Sequence, residues 1–227
     1  MIAIIDYGMG NLASVYKAVR YTGNDAVVTS DSRVLAQADA VILPGVGAMA
    51  DAMRSLSAVG LTEYLPEMIE GGKPFLGICL GLQMLFDSSD EGSDRQAMDG
   101  TATAGATKGR VRGLGIFRGE VVRFPVQPGL KIPHMGWNRL SVSGSRFITG
   151  GEYVYFVHSY YARPKDFSIT SAHARHGVEF AAAVERNNVF ATQFHPEKSG
   201  ETGIRILSRW IDSTKGGRSL QGGRSGI

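Results

Sequence analysis

The chain has 227 residues, 43% hydrophobic and 20% charged, with 30 glycines and a formal net charge of +3; this is the composition of a globular protein large enough for one well-buried domain or two small ones. No apolar run approaches the roughly 20 residues that span a membrane, and the N-terminal MIAIIDYGMG, without a basic region and with a charge at Asp6, reads as a first strand rather than a leader. The single cysteine, Cys79, excludes an internal disulfide and fits a reducing cytoplasm.

In chain order, residues 2–6 (IAIID) read as a strand and Gly8-Met9-Gly10 as a turn. Asn11 is placed to cap a helix whose apolar face is Leu12, Val15, Tyr16 and Val19. Residues 26–28 and 40–43 are short apolar strands, the second ending at Pro44-Gly45, and helical patterns follow around 48–58 and 61–70. Residues 74–78 form a fourth strand running into Cys79, with a helix after it that carries Leu82, Leu85 and Phe86 on one side. Strands alternating with helices predict a parallel sheet covered on both faces.

Residues 92–113 are small and polar, an exposed insertion or mobile loop. Beyond them, strands are expected at 119–124, 153–157, 167–172, 179–185 and 189–194, closely spaced as in an antiparallel sheet joined to the first. A last helix at about 200–213 would bury Ile204, Leu207, Trp210 and Ile211. With no internal repeat and no clear boundary, residues 1–213 read as one α/β domain. Residues 214–227, rich in Gly, Ser and Arg, read as a flexible tail. No basic face interleaved with aromatics marks a nucleic-acid surface.

In an open parallel sheet, ligands bind beyond the carboxyl ends of the strands. Gly8–Asn11, Pro44–Gly47, Cys79 and the run His195-Pro196-Glu197 all fall at such ends. Gly77-Ile78-Cys79-Leu80-Gly81 has the spacing of a nucleophile elbow, with the N–H of Leu80 as an oxyanion donor. A buried cysteine between two packing glycines fits that run equally well. A thiol nucleophile needs a base, and the base an orienting acceptor; His195 and Glu197 supply both, which favours the triad. The turn Gly45-Val46-Gly47 is a plain strand exit, or a second source of oxyanion donors. Five scattered histidines offer no metal spacing. Gly8-Met9-Gly10-Asn11-Leu12-Ala13 also matches a dinucleotide fingerprint, with Asp31 near the position of a ribose-binding acid; that reading leaves Cys79, His195 and Glu197 unexplained.

Cys79 in GICLGLQ with His195 and Glu197 in HPE resembles the class I (triad) glutamine amidotransferases. The finer resemblance is to glutaminase subunits of imidazole glycerol phosphate synthases, carried by IIDYGMGNL (4–12), LPGVGA (43–48), GICLGLQMLFDSSDEG (77–92), GLGIFRGEV (113–121), IPHMGWN (132–138), YFVHSYY (155–161) and TQFHPEKSG (192–200). Leu82 stands where that family often has Met, the 92–112 segment is longer than usual, and the tail is unmatched. The resemblance implies a flavodoxin-like domain, mostly parallel with antiparallel strands added in the C-terminal half, and no cofactor. It implies glutamine as substrate and a separate (β/α)₈ cyclase subunit as heterodimeric partner. Ammonia would pass to that partner, which makes imidazole glycerol phosphate and an aminoimidazole carboxamide ribotide. Gly47, Gln83, Glu91, Ser159 and Tyr160 would hold glutamine; Asn11, His134, Met135, Trp137, Tyr155 and Lys198 would lie towards the cyclase. Ordinary core packing remains open for Met135 and Trp137, and strand packing for Tyr160 and Tyr161. A free-standing cysteine hydrolase, or another amidotransferase specificity, stays open as an alternative.

Overall fold

A computed structural model describes residues 1–91 and 109–215. Its central sheet has eight strands, of which five are parallel: β1 (Ile2–Ile5), β2 (Ala26–Thr29), β3 (Ala40–Gly45), β4 (Phe75–Cys79) and β14 (Val189–Thr192). They run in the order β2-β1-β3-β4-β14, the flavodoxin-like winding. β13 (Val178–Arg186), β12 (Thr170–His176) and β9 (Ser141–Val142) extend the sheet antiparallel.

Every residue of β1, β3 and β4 is buried, as a sheet covered on both faces requires. Alternate residues divide between two cores because strand side chains alternate faces. Ala3, Ile5, Val41 and Leu43 pack with Leu35, Leu56 and Leu65 of α2 (Ser32–Gln37), α3 (Met49–Ala58) and α4 (Tyr64–Glu70). Ile2, Ile4, Ile42 and Leu76 pack with Val15 and Val19 of α1 (Leu12–Tyr21) and with Ile206, Leu207, Trp210 and Ile211 of α6 (Gly200–Lys215). Asn11 caps α1 as expected, its Oδ1 accepting from the N–H of Ser14 at 3.3 Å. In α6 Ile206 and Ile211 are fully buried, while Ile204 is only partly covered.

A second sheet orders β11 (Tyr160–Pro164), β7 (Phe117–Arg123), β5 (Phe86–Ser89) and β6 (Val111–Arg112). β8 (His134–Arg139) and β10 (Tyr153–His158) form a two-stranded ribbon. Here the structure corrects the sequence reading. The helix after Cys79, α5 (Leu80–Gln83), is a single turn, and Phe86 opens β5. The carbonyls of Met84, Leu85 and Phe86 accept from Leu114, Phe117 and Gly115 rather than from a continuing helix. Phe86 itself packs on the Phe117 ring, 5.7 Å between centroids. Residues 167–169 form a 3₁₀ turn ahead of β12 rather than its first residues. The expected insertion at 92–112 lies outside the described residues except for 109–112, which include β6, and of the expected tail only residues 214 and 215, the end of α6, are described.

The strand-to-helix turn at Cys79 depends on close backbone approach. A Cβ on Gly81 would stand 1.9 Å from the carbonyl oxygen of Leu43, and one on Gly77 would stand 2.7 Å from that of Gly81. Both collisions are with backbone, which cannot swing away. Gly81→Ala is therefore expected to destabilise the chain by about 2–4 kcal/mol, read as a drop in Tm. Gly150→Ala, with nothing within 4 Å of the new atom, should leave Tm nearly unchanged; equal melting of the two variants would contradict the close-packing account.

Candidate active site

Parallel pairing of β4 with β14 aligns Ile78 with Thr192. Beyond that pair, one chain delivers Cys79 and the other Gln193 and His195. Cys79 has φ 56° and ψ −107°, a strained backbone for a residue with a side chain, of the kind that exposes a nucleophile at an elbow. Because α5 is only one turn long, its dipole is short, and the sulfur's electrostatics depend chiefly on side-chain neighbours.

His195 leads into a 3₁₀ turn at Pro196–Lys198 that carries Glu197 back against it. His195 Nδ1 lies 2.8 Å from Glu197 Oε1, with both side chains 2% exposed. A carboxylate acceptor there places the hydrogen on Nδ1 and leaves Nε2 as the ring's reactive nitrogen. Among the described residues Nε2 has no hydrogen-bond partner. Burial disfavours a charged imidazole, but Cys79 and then Glu197 outweigh it and raise the His195 pKa to about 10. The ring is held as an imidazolium beside sulfur. Ser199 Oγ fixes the turn from outside, donating to the carbonyl of His195 at 2.7 Å and accepting from the N–H of Tyr155 at 3.0 Å.

A cavity of about 300 Å³ opens over this pair, small among ligand pockets. It is lined by Cys79, His195, Val46, Gly47, Leu80, Gln83, Glu91, Ser159 and Tyr160, each a site residue of the sequence reading, and by Lys198, which that reading placed towards the cyclase. Glu197 stands behind His195. Gly45 lies opposite Cys79 in β3, so tightly against Leu80 that a Cβ would come within 2.7 Å of the Leu80 side chain. It permits the elbow, and the cavity-facing part of the turn is Val46-Gly47. Clefts of about 630 and 710 Å³ contain neither Cys79 nor His195, although Glu197 is among the residues lining the second.

Two side chains have structural partners. Glu91 Oε2 accepts from the N–H of Met49 at 3.0 Å, and burial raises its pKa. Gln83 donates to the carbonyl of Tyr160 at 2.9 Å and to Gln193 Oε1 at 3.0 Å. Tyr7 sits under the site with its hydroxyl donating to the carbonyl of Pro44 at 3.0 Å; burial, then Cys79, raise its pKa and keep it neutral.

Among the residues expected at a partner face, Met135 and Trp137 on β8 are 62% and 57% exposed, and Asn11 and Lys198 are also exposed. Trp137 pairs with half-buried Tyr155 on β10, ring centroids 6.1 Å apart. His134 differs. It is 5% exposed, stacked on Phe156 and His176, and linked to His158 by a 3.1 Å hydrogen bond. It supports the ribbon from beneath, and burial lowers its pKa to about 4. The sequence reading missed His158 and Val157, which line the cavity, and Gln193. It also placed Asp31 as a possible ribose acid; Asp31 caps α2, accepting from the N–H of Arg33 at 2.8 Å. Among the described residues, no group of three or more His, Cys, Asp or Glu is placed to hold a metal ion, and no helix is long and apolar enough to cross a membrane.

Residues 3–212 match the family model "Glutamine amidotransferase class-I", and the chain belongs to that family. Solved structures agree in fold: a crystal structure titled as a glutamine amidotransferase superposes with TM-score 0.68 at 19% identity, covering 95% of this chain and 100% of that one. Within the class, the chain is 48% identical over 219 residues to imidazole glycerol phosphate synthase subunit HisH of Caldanaerobacter subterraneus subsp. tengcongensis, covering 95% of this chain and 99% of that protein. It is 49% identical over 215 residues to the same subunit of Methanothermobacter thermautotrophicus, covering 93% and 98%. The chain belongs to this family of glutaminase subunits and is an enzyme.

A pKa of about 10 against an unfolded value near 6.5 makes the His195 imidazolium a stabilising group below about pH 6.5, with the contribution lost as pH rises towards 10. NMR titration should find His195 protonated at pH 7 and its midpoint lowered in Cys79→Ala, which removes the largest raising influence. A neutral His195 at pH 7 in the unaltered chain would contradict this electrostatic picture.

Proposed function

We propose that the chain hydrolyses glutamine to glutamate and ammonia through Cys79, His195 and Glu197, and hands the ammonia to a (β/α)₈ cyclase subunit in histidine biosynthesis. The observation that carries this reading is the buried His195–Glu197 pair, 2.8 Å apart, facing Cys79 in a cavity lined by amide and hydroxyl groups. The Cys79 thiolate attacks the side-chain carboxamide carbon. Backbone N–H groups of Leu80 and the Val46-Gly47 turn hold the developing oxyanion, where one donor is worth roughly 10²–10³ in rate.

The His195 imidazolium then gives its Nε2 proton to the departing ammonia, leaving a γ-glutamyl thioester on Cys79. Neutral His195 takes a proton from water as that water attacks the thioester, and glutamate leaves with the thiolate restored. Glu197 holds the ring and balances its charge throughout. The glutamine backbone carries an ammonium and a carboxylate, which Glu91 and the groups around Ser159 and Tyr160 match in chemical type.

The β8–β10 ribbon supports a docking role. Its exposed Met135 and Trp137 are residue types enriched in interface cores. The carbonyl of Tyr155 accepts from the N–H of His195 at 3.0 Å, so pressure on the ribbon reaches the proposed base through one hydrogen bond. A reducing cytoplasm suits a thiolate nucleophile.

Cys79→Ala is expected to abolish glutamine-dependent synthesis in the complex with the cyclase while synthesis from added ammonium salts continues; loss of both would refute the division of labour. Trp137→Ala should weaken cyclase binding by tenfold or more, the order expected of an aromatic anchor, measured by titration calorimetry. Unchanged affinity would remove Trp137 from the interface. Full glutamine turnover by the chain alone, indifferent to the cyclase, would favour a free-standing hydrolase.

A further inference from the structure

Gln193 lies two residues before His195, is completely buried, and has no part in the mechanism above. A primary amide removed from water must place its donors and acceptor, since an unpaired one costs about 1–3 kcal/mol. Its oxygen accepts from Gln83 Nε2 at 3.0 Å, and its Nε2 stands 3.7 Å from Cys79 Sγ, within hydrogen-bonding range for sulfur.

The chain of partners fixes which end of each amide points where. The carbonyl of Tyr160 can only accept, and Gln83 meets it at 2.9 Å, so the Gln83 end facing Tyr160 is its NH₂. The second N–H of that group faces Gln193, which must answer with oxygen; a flipped Gln193 would set NH₂ against NH₂. The Gln193 NH₂ is thereby turned to Sγ. Its main chain is held as well, with the N–H donating to the carbonyl of Ala182 at 2.8 Å.

We propose that Gln193 is a catalytic residue that donates an amide N–H to the Cys79 sulfur and stabilises its thiolate, with Gln83 as the positioning residue that locks this orientation. The inference rests on the reading of Cys79 as the nucleophile. Sulfur faces opposing influences. The carbonyl of Val157, 3.9 Å away, is an acceptor that suits S–H and repels S⁻. Gln193 and the His195 ring favour S⁻, because a donor to a charged form lowers the free energy of that form. Other titratable groups facing the site are Tyr7 from beneath β4, Glu197 behind His195, and His158, Glu91 and Lys198 around the cavity. None of these supplies a neutral, pH-independent donor to sulfur. Gln193 does.

The test uses the fact that Cys79 is the chain's only cysteine, so intact mass after iodoacetamide treatment reports one site. The rate of alkylation against pH gives the midpoint of thiolate formation, a property of the Cys79–His195 pair. Gln193→Met, similar in shape but without a donor, should raise that midpoint by about one unit, making alkylation about tenfold slower well below the midpoint and equal to the unaltered chain at high pH. Gln83→Met should shift it in the same direction, and adding it to Gln193→Met should shift it no further. Should Gln193→Met fail to fold by circular dichroism, Gln193→Glu, which presents an acceptor to sulfur, should raise the midpoint at least as far. An unmoved midpoint overturns the proposal, as does uniform slowing at every pH, which is a change of access. Alkylation needs no glutamine, so a shifted midpoint with glutaminase activity surviving in Cys79→Ala would retain the donor role and refute the nucleophile instead.

Discussion

The site depends on one interaction, the parallel pairing of β4 with β14. These strands are separated by more than a hundred residues, yet the alignment of Ile78 with Thr192 sends both carboxyl ends out of the same edge at the same height. Cys79 then needs only a sharp turn to face the chain carrying Gln193 and His195. Glycines at 77 and 81 let that turn form against β3, because a side chain at either place would strike backbone. Fold and site share one constraint: closeness of backbone at the strand ends fixes both the packing of the sheet and the reach of the thiol.

Burial sets the electrostatics. His195 and Glu197 are nearly inaccessible, so their interaction is scarcely screened by solvent. Desolvation alone would neutralise His195; sulfur and carboxylate together reverse that. The contrast with His134 and His158 is instructive. Among the described residues neither has a carboxylate partner, and burial lowers their pKa values to about 4 and about 3. They remain neutral and act as links in hydrogen-bonded chains, His158 to the carbonyl of Tyr160 at 2.8 Å and His134 to His158 at 3.1 Å. The same residue type is a charged acid in one place and a neutral brace in another, according to what faces it.

Much of this was legible in the residues. Cys79, His195 and Glu197 follow apolar strands and carry chemistry that few structural roles require, so the elbow and HPE could be paired across the chain. What was not legible is mostly a matter of distance or period. Leu82, Leu85 and Phe86 have helical spacing, and nothing local shows that the carbonyls of residues 84–86 bond to residues 114–117 instead. β8 and β11 escaped because burial and hydropathy disagree along them: β8 turns His134, Gly136 and Asn138 inward and leaves Met135 and Trp137 exposed, and β11 leaves Tyr160 and Tyr161 only half-buried. Gln193 was in plain view within TQFHPE, but its orientation depends on Gln83, 110 positions earlier. His134 was placed at the partner face along with its neighbours Met135 and Trp137, whereas strand alternation points it inward, opposite to their exposed side chains.

The ribbon and the proposed triad form one mechanical unit, since Tyr155 bonds through its backbone to His195 and Ser199. That connection would give the proposed partner, docked on the Trp137 face, a short route to the proposed base. Such coupling matters only if Cys79 attacks glutamine, and the most direct measurement of that is covalent. Treatment with a diazoketone analogue of glutamine, followed by peptide mass spectrometry, should place one label per chain on Cys79, with glutaminase activity lost in proportion. Inactivation with the label elsewhere, or full labelling of Cys79 with glutamine turnover intact, would contradict the account.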